Sequence, residues 1–343
     1  MPNALLLAAS FSLLSGFAAA QAQVLIGPDG VGCGTGGLAV LSDGSNAAAS
    51  VTFVYSPHDG ELRVTVANTT ATAPGLPGPT ITGIFFNTPS ATVTSAALVS
   101  QTGVGKKPRF QLTFDDDANA GPNPNVAGCL GTFNFRLATA SGRDGIAAPS
   151  TTVCGDPAAT SVTGPVTFVL QLNGPEIHNL SADVFSATTS RNTGRKVNVG
   201  VGFDGGTCAG SGFLGNGDIC RVAVFSRGTH GIGETMTLAV VGGEQCRAFL
   251  GVSPHEGPVD LGVFVIPVSL PLLFSYDLGY LPSDAPEANL QVFVPHAPEL
   301  IGFTAYMTAL THPYQLELYN VFSFARAYQF TIGNGMSYCP PHY

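Results

Sequence analysis

The sequence predicts an all-β protein made of two antiparallel β-sandwich domains, immunoglobulin-like or jelly-roll-like in kind. Three observations carry this. Apolar and polar residues alternate with a period of two in segment after segment. Helical periodicity is nearly absent. Charged residues are only 10 % of the chain, against 43 Gly and 25 Pro, with 45 % hydrophobic content, which is enough to fill a core. Many strands with no helices to cover them bury their apolar faces by packing sheet on sheet.

The elements follow in order. Residues 50–55 place Val51, Phe53 and Tyr55 on one face. Pro57, His58, Asp59 and Gly60 form a turn, and residues 61–66 then set Leu62, Val64 and Val66 on one side. Alternation flanking a Pro-x-Asp-Gly turn predicts a hairpin. Residues 109–114, 132–137, 166–172 and 197–203 repeat the pattern, so Phe110, Phe133, Phe135, Phe168 and Phe203 are expected in the first core. Residues 181–187 predict one or two helical turns in a connection, with Ser181 as N-cap. The Gly-rich stretch 205–218 is the domain boundary. Seven further strands follow, at 221–225, 235–241, 246–251, 261–266, 289–294, 302–308 and 328–332. The expected division is a signal peptide at 1–22, domains at 23–217 and 218–335, and a tail at 336–343.

Residues 4–20 are apolar or small throughout and lead into Ala18-Ala19-Ala20-Gln21-Ala22, a run that suits signal peptidase. The expected destination is outside the cytoplasm: secreted, periplasmic or at the cell surface. Disulfides persist there. The seven cysteines leave one odd. Cys208 and Cys220 flank a Gly-rich loop and are expected to bond. Cys129 with Cys154, and Cys246 with Cys339, are the next expected pairs, which leaves Cys33 as the odd thiol. The net charge is −9 and the lysines are only Lys106, Lys107 and Lys196. No basic patch can form, so nucleic acid and anionic membrane surfaces are poor partners. The apolar run 261–274 is interrupted by Pro267 and Pro271 and is too short to span, so no membrane insertion of the mature chain is expected.

Two resemblances rest on particular residues. Residues 231–242 (Gly-Ile-Gly-Glu-Thr-Met-Thr-Leu-Ala-Val-Val-Gly), residues 260–262 (Asp-Leu-Gly) and residues 294–306 resemble a small β-sandwich module of exported bacterial proteins. That module opens on an x-Ile-Gly-x-Thr strand, carries a central Leu-Gly, and closes on Pro-x-Leu-x-Gly before a long hairpin. Residues 51–55, 62–69, 81–87 and 166–170 are similar to bacterial surface proteins sorted by exosortase systems. The resemblances imply β-sandwich folds and an extracellular role, and neither brings a catalytic residue set. The sorting tail is missing, so covalent surface attachment by that route is not expected.

Candidate chemistry is sparse. Asp115, Asp117 and Asn119 offer oxygen ligands at every second residue of a loop, a spacing that suits calcium; the glycine is one place off the EF-hand position and no Glu closes the loop, so a solvated turn rich in Asx residues is the favoured reading. No other cofactor is expected. No Gly-x-Ser-x-Gly elbow or His-Glu-x-x-His occurs, and the seven histidines are scattered. The sequons at Asn68 and Asn179 matter only in a host that glycosylates them. The expected function is a non-enzymatic extracellular structural or interaction protein, with a surface polysaccharide or surface protein as partner. A carbohydrate-binding protein using the C-terminal tyrosines is the alternative, and an unrecognised secreted hydrolase a further one.

Overall fold

The computed structural model describes residues 21–27, 31–34, 47–71, 78–89, 91–103, 110–116, 125–139, 145–148, 162–191, 197–204, 212–216, 221–242, 246–260, 265–282, 287–313 and 323–334. The first module contains β1 (Gln21–Ile26), β2 (Val31–Gly34), β3 (Ala49–Ser56), β4 (Glu61–Asn68), β5 (Thr80–Phe86), β6 (Ser95–Thr102), β7 (Phe110–Phe114), β8 (Phe135–Thr139), β9 (Ile146–Ala147), β10 (Val162–Thr163), β11 (Val166–Asn173), β12 (Val199–Asp204) and β13 (Gly212–Gly215), with helix α1 (Ala182–Ala187) between β11 and β12. The second contains β14 (Val222–Arg227), β15 (Thr235–Gly242), β16 (Cys246–Ser253), β17 (Glu256–Asp260), β18 (Val265–Val268), β19 (Phe274–Tyr280), β20 (Glu287–Phe293), β21 (Thr304–Pro313), β22 (Ser323–Phe324) and β23 (Tyr328–Thr331).

The all-β sandwich class holds. One sheet of the first module runs β1-β3-β4-β11-β6; the other runs β10-β9-β5-β12-β13-β2, with β8 on β5 and β7 on β8. Pairing is antiparallel except for β9 with β10. Strands β3, β4 and β11 alternate buried and half-exposed positions, because only one face of their sheet meets the core. The β3–β4 hairpin turns at Gly60, whose φ is +65° and where a Cβ would sit 2.7 Å from the Leu172 carbonyl oxygen; both facts require glycine. All five phenylalanines expected in the core are buried. Phe133, however, belongs to a second small cluster with Phe85, Leu130 and Val197 on the far side of the β5–β12 sheet. The alternating glycines of β12 make room for that layer: a Cβ at Gly202 would stand 3.3 Å from the Phe213 ring. The two sheets are tied at one edge by Gln101 of β6, whose side chain donates to the Phe110 carbonyl (2.8 Å) and accepts from its N–H (3.4 Å).

Helix α1 is where the sequence places it, with Ser181 in the N-cap position and no side-chain cap bond. It is buried because Phe185 packs against Phe53, Tyr55 and Phe86 at 5.3–6.4 Å between ring centres. The helix also packs on β1, β3 and β14, and so joins the modules.

In the second module the sheet β14-β15-β20 faces the sheet β19-β16-β21-β22, with β23 on β21. Strands β14 and β15 are buried on both faces. Val222, Val224, Leu238 and Val240 enter the second core, while Ala223, Phe225, Ala239 and Val241 belong to the first. The modules therefore share a middle sheet rather than meeting through a polar interface. This explains why residues 222–225 and 238–241 read as unbroken apolar runs. Strands β17, β19 and β22 were not read from the sequence; β19 carries a register shift opposite Ala248 and Phe249 that breaks its alternation.

Candidate functional site

Three polar arrangements lie on or near the second module, and two of them sit where it meets the first. The first is a cleft of about 610 Å³ lined by Gln21, Gln23, Asp183, Ser186, Arg221, Ser323, Phe324 and Arg326. Its walls come from β1 and α1 on one side and from the start of β14 and the β22–β23 connection on the other. Arg326 Nη1 donates to the Gln21 carbonyl at 2.6 Å and Arg221 Nη2 to the Gln23 carbonyl at 2.7 Å. Arg326 Nε stands 3.7 Å from Asp183 Oδ1. Burial holds the Asp183 carboxyl above the usual aspartate value, against the opposing pull of Arg326 and Arg221. The cleft thus presents two guanidinium groups and one half-desolvated carboxylate to solvent.

The second arrangement is closed. His230 Nε2 lies 2.7 Å from Ser226 Oγ, and Ser226 Oγ lies 2.9 Å from the Tyr328 hydroxyl. Burial pushes the His230 imidazole below its ordinary value, with Glu176 pulling it upward, and raises the Tyr328 phenol. A histidine beside a serine hydroxyl is the pairing that activates a nucleophile. Ser226, however, has no exposed surface and its oxygen is already shared with Tyr328. No substrate carbonyl reaches it, so the chemistry available here is cohesion. Glu176 of the first module accepts weakly from the Gly228 N–H at 3.4 Å, which extends the same polar tie across the joint.

The third is the outer face of β16, β19 and β21. Phe249 touches both the His312 ring, 5.9 Å away and stacked, and the Arg247 guanidinium, 5.2 Å from its centre, which face each other across β16 and β21. Arg247 pairs with Asp277, holding that carboxyl below the usual aspartate value, and Tyr280 lies opposite Arg247 in the register. Tyr276 and Tyr280 are both about half exposed, but Tyr276 shares the parity of Phe274, which packs on the second core. The two tyrosines do not form one flat platform. Tyr314, Tyr319, Tyr338 and Tyr343 lie outside the described residues.

Of the expected calcium ligands, Asp117 and Asn119 lie outside the described residues. The backbone N–H of Asp115 donates to the Asn134 carbonyl (2.9 Å) and its carbonyl accepts from Asn134 Nδ2 (2.8 Å). Among the described residues no group of three or more His, Cys, Asp or Glu gathers to hold a metal ion. Cys129 and Cys246 are disulfide-bonded; Cys154, Cys208, Cys220 and Cys339 lie outside the described residues. The sequon residue Asn68 is buried, and its Nδ2 donates to the carbonyls of Pro79 (2.7 Å) and Ile146 (2.9 Å), so the folded protein offers no acceptor there.

Sequence reasoning missed the cleft and the Ser226–His230–Tyr328 group. The cleft's members are far apart in the chain, and although Ser226 and His230 lie four residues apart, Tyr328 comes 102 residues after Ser226. The available signal was scarcity: with Lys and Arg totalling 13, two arginines beside one half-buried aspartate form a concentration of charge.

No family model matches the chain, and no curated protein sequence matches it. Among solved structures, Escherichia coli alpha-2-macroglobulin activated by porcine elastase aligns with 84 % of this chain and 23 % of its own, at 6 % identity and a TM-score of 0.20. The chain thus spans under a quarter of that structure's length.

Proposed function

We propose that the protein is a secreted, disulfide-containing, non-enzymatic interaction protein of the bacterial surface, and that its second module makes the contact. One observation carries this reading: the distribution of exposed apolar side chains. Among the described residues the first module exposes Leu25, Val99 and Val126, whereas the second exposes Val265, Leu270, Leu273, Tyr276, Tyr280, Phe293 and Ile301. Apolar surface concentrated on one part of a protein marks contact with another macromolecule. Among the described residues β20 pairs only with β15 and so offers a strand edge beside Phe293, and strand edges recruit extended partner segments. Export follows from the leader at 4–20, and the resemblance of residues 231–306 to exported β-sandwich modules agrees with it.

A carbohydrate partner is the second reading, supported by the Arg247, Phe249, Asp277 and Tyr280 surface, where aromatic and charged groups lie side by side. One experiment separates the readings. Labelled protein is added to washed bacterial cells that are untreated, protease-treated or periodate-oxidised. Retention that is lost after protease, and lost in a Leu273→Asp/Phe293→Asp variant, is the expected result. Retention lost only after periodate selects the carbohydrate reading. Absence of retention together with turnover of an ester, peptide or glycoside panel would replace both with a hydrolase.

A further inference from the structure

We infer that two copies of the chain join β20 to β20, antiparallel about Leu290, so that the β14-β15-β20 sheets of both copies continue into one. The inference deepens the contact reading above, on which it rests for the β20 edge, by naming what fills that edge.

Natural sheets protect their edges with short strands, bulges, proline or covering groups. Among the described residues, the other edges are protected in one of these ways. The β1 carbonyls of Gln21 and Gln23 accept from Arg326 and Arg221. Strand β6 bulges at Val99, which the register with β11 leaves out, and Gln101 fastens it to β7. Strand β19 bulges at Leu278, beside Gly279 with its φ of +74°. The β17–β18 hairpin carries Pro258, Pro267 and a register shift. Strands β2, β10, β22 and β23 are short, with four residues at most, and β14 packs against α1, β21 and β23. Strand β20 has none of these devices. Its seven residues pair with β15 without a shift, and it contains no lysine, proline or glycine.

The strand's own sequence points to a second copy as occupant. Read about Leu290, Glu287-Ala-Asn-Leu-Gln-Val-Phe293 is near-symmetric: Ala288 mirrors Val292, and Asn289 mirrors Gln291. Successive residues alternate between the two faces. Ala288, Leu290 and Val292 pack toward the second core but are only partly buried, while Asn289, Gln291 and Phe293 are exposed. A two-fold axis at Leu290 sets Leu290 against Leu290, and Ala288 against Val292 of the other copy, which covers the half-open core row. On the outer face it sets Asn289 against Gln291, whose amides donate and accept across the strands. The one charge, Glu287, meets Phe293 rather than a like charge, and its carboxylate is held by Arg227 at 2.8 and 2.9 Å. The two-fold closes the assembly at two copies and leaves no β20 edge to extend it. An unrelated extended segment would call for no such symmetry in β20.

The test is sedimentation velocity of the full chain, expressed with its own leader, at concentrations about a hundredfold apart. Two paired seven-residue strands bury less than the roughly 1,600 Å² of a standard interface, so the association is expected to be reversible. Wild type should pass from monomer to dimer as concentration rises. An Asn289→Lys/Gln291→Lys variant changes exposed positions alone. It should keep the wild-type melting temperature at the lowest concentration and stay monomeric, because lysine then opposes lysine twice. An Asn289→Glu/Gln291→Glu variant should do the same, and mixing the two variants should restore a dimer holding one copy of each. A wild type that stays monomeric, a dimer undisturbed in the lysine variant, or a mixture that stays monomeric would overturn the pairing. So would a dimer that a non-reducing gel shows to be held by a disulfide. The contact reading fails separately: a dimer that cells do not retain sinks that reading alone, and a permanent monomer that cells retain sinks the pairing alone.

Discussion

Replacing Phe225 with alanine tests the shared middle sheet directly. Phe225 stands on β14, is completely buried, and belongs to the first module's core although its strand opens the second. Its ring also receives the Arg227 guanidinium, 5.0 Å from its centre. Removing a fully buried phenylalanine costs about 3–5 kcal/mol in lost burial and cavity, and the cation–π contact adds roughly 0.5–1 kcal/mol. Against a total stability of about 5–15 kcal/mol this is a large fraction. For a cooperative unit of more than 150 residues it lowers the midpoint by roughly 10 °C. Differential scanning calorimetry of wild type and variant supplies the measurement, with Phe225→Leu as a milder variant that retains most of the packing. A shared sheet predicts one transition in wild type that moves as a whole in both variants. Two separate transitions in wild type, with only one of them responding to the substitution, would refute the common core.

Three further outcomes follow from the polar groups. Asp183→Asn should leave the melting temperature at pH 7 unchanged or raise it. Burial lifts the folded carboxyl above its ordinary value despite two arginines, so its stabilising effect belongs to the protonated form and is lost as pH rises through the folded pKa; a clear loss of stability would mean that the ion pair with Arg326 dominates. His230 works in the opposite sense. Its folded pKa is depressed by burial, so the unfolded chain takes up the proton first and stability falls as pH drops below the ordinary value of 6.5. Denaturation midpoints at pH 7.5 and pH 5 should differ less in His230→Gln than in wild type. Ser226→Ala should cost about 1–3 kcal/mol, since it strips a buried partner from both His230 and Tyr328, a loss readable in the same denaturation curves.

What was legible in the sequence is what depends on one strand at a time. Val51, Phe53 and Tyr55, or Phe168, Leu170 and Leu172, show their faces by period alone, and Gly60 shows its turn by residue type. The α1 helix could be placed because Ser181 stands in N-cap position before residues 182–187. What was not legible depends on which sheets stack. Val222 to Phe225 reads as a strand of the second module, yet nothing local says that Ala223 and Phe225 cross into the first core. Phe133 reads as in phase with Phe135, but the strand starts only at Phe135, and the preceding residues bridge to Val126 and Arg191 instead. The cleft depends on Asp183, Arg221 and Arg326 converging from three distant segments, and no spacing rule reaches that far.

The shared sheet also bears on where function can reside. A free-standing β-sandwich module needs polar outer faces on both sheets. Here the outer face of β14 and β15 is apolar and permanently covered by α1 and the first core, and the Glu176, Ser226, His230 and Tyr328 groups that edge it are spent on holding the joint. Neither the joint nor its buried histidine is open to a partner. Among the described residues the first module exposes mainly polar positions of its alternating strands, with Leu25, Val99 and Val126 as its large exposed apolar side chains. For the contact role proposed above, the described surfaces that burial has not already used are the β19 and β20 edges, the β17–β18 hairpin and the cleft beside Gln21. Of these, the first two carry exposed apolar side chains, while the cleft carries charge. Because the joint is packed rather than hinged, the two kinds of surface keep a fixed separation, and a partner long enough to meet both would meet them in one orientation.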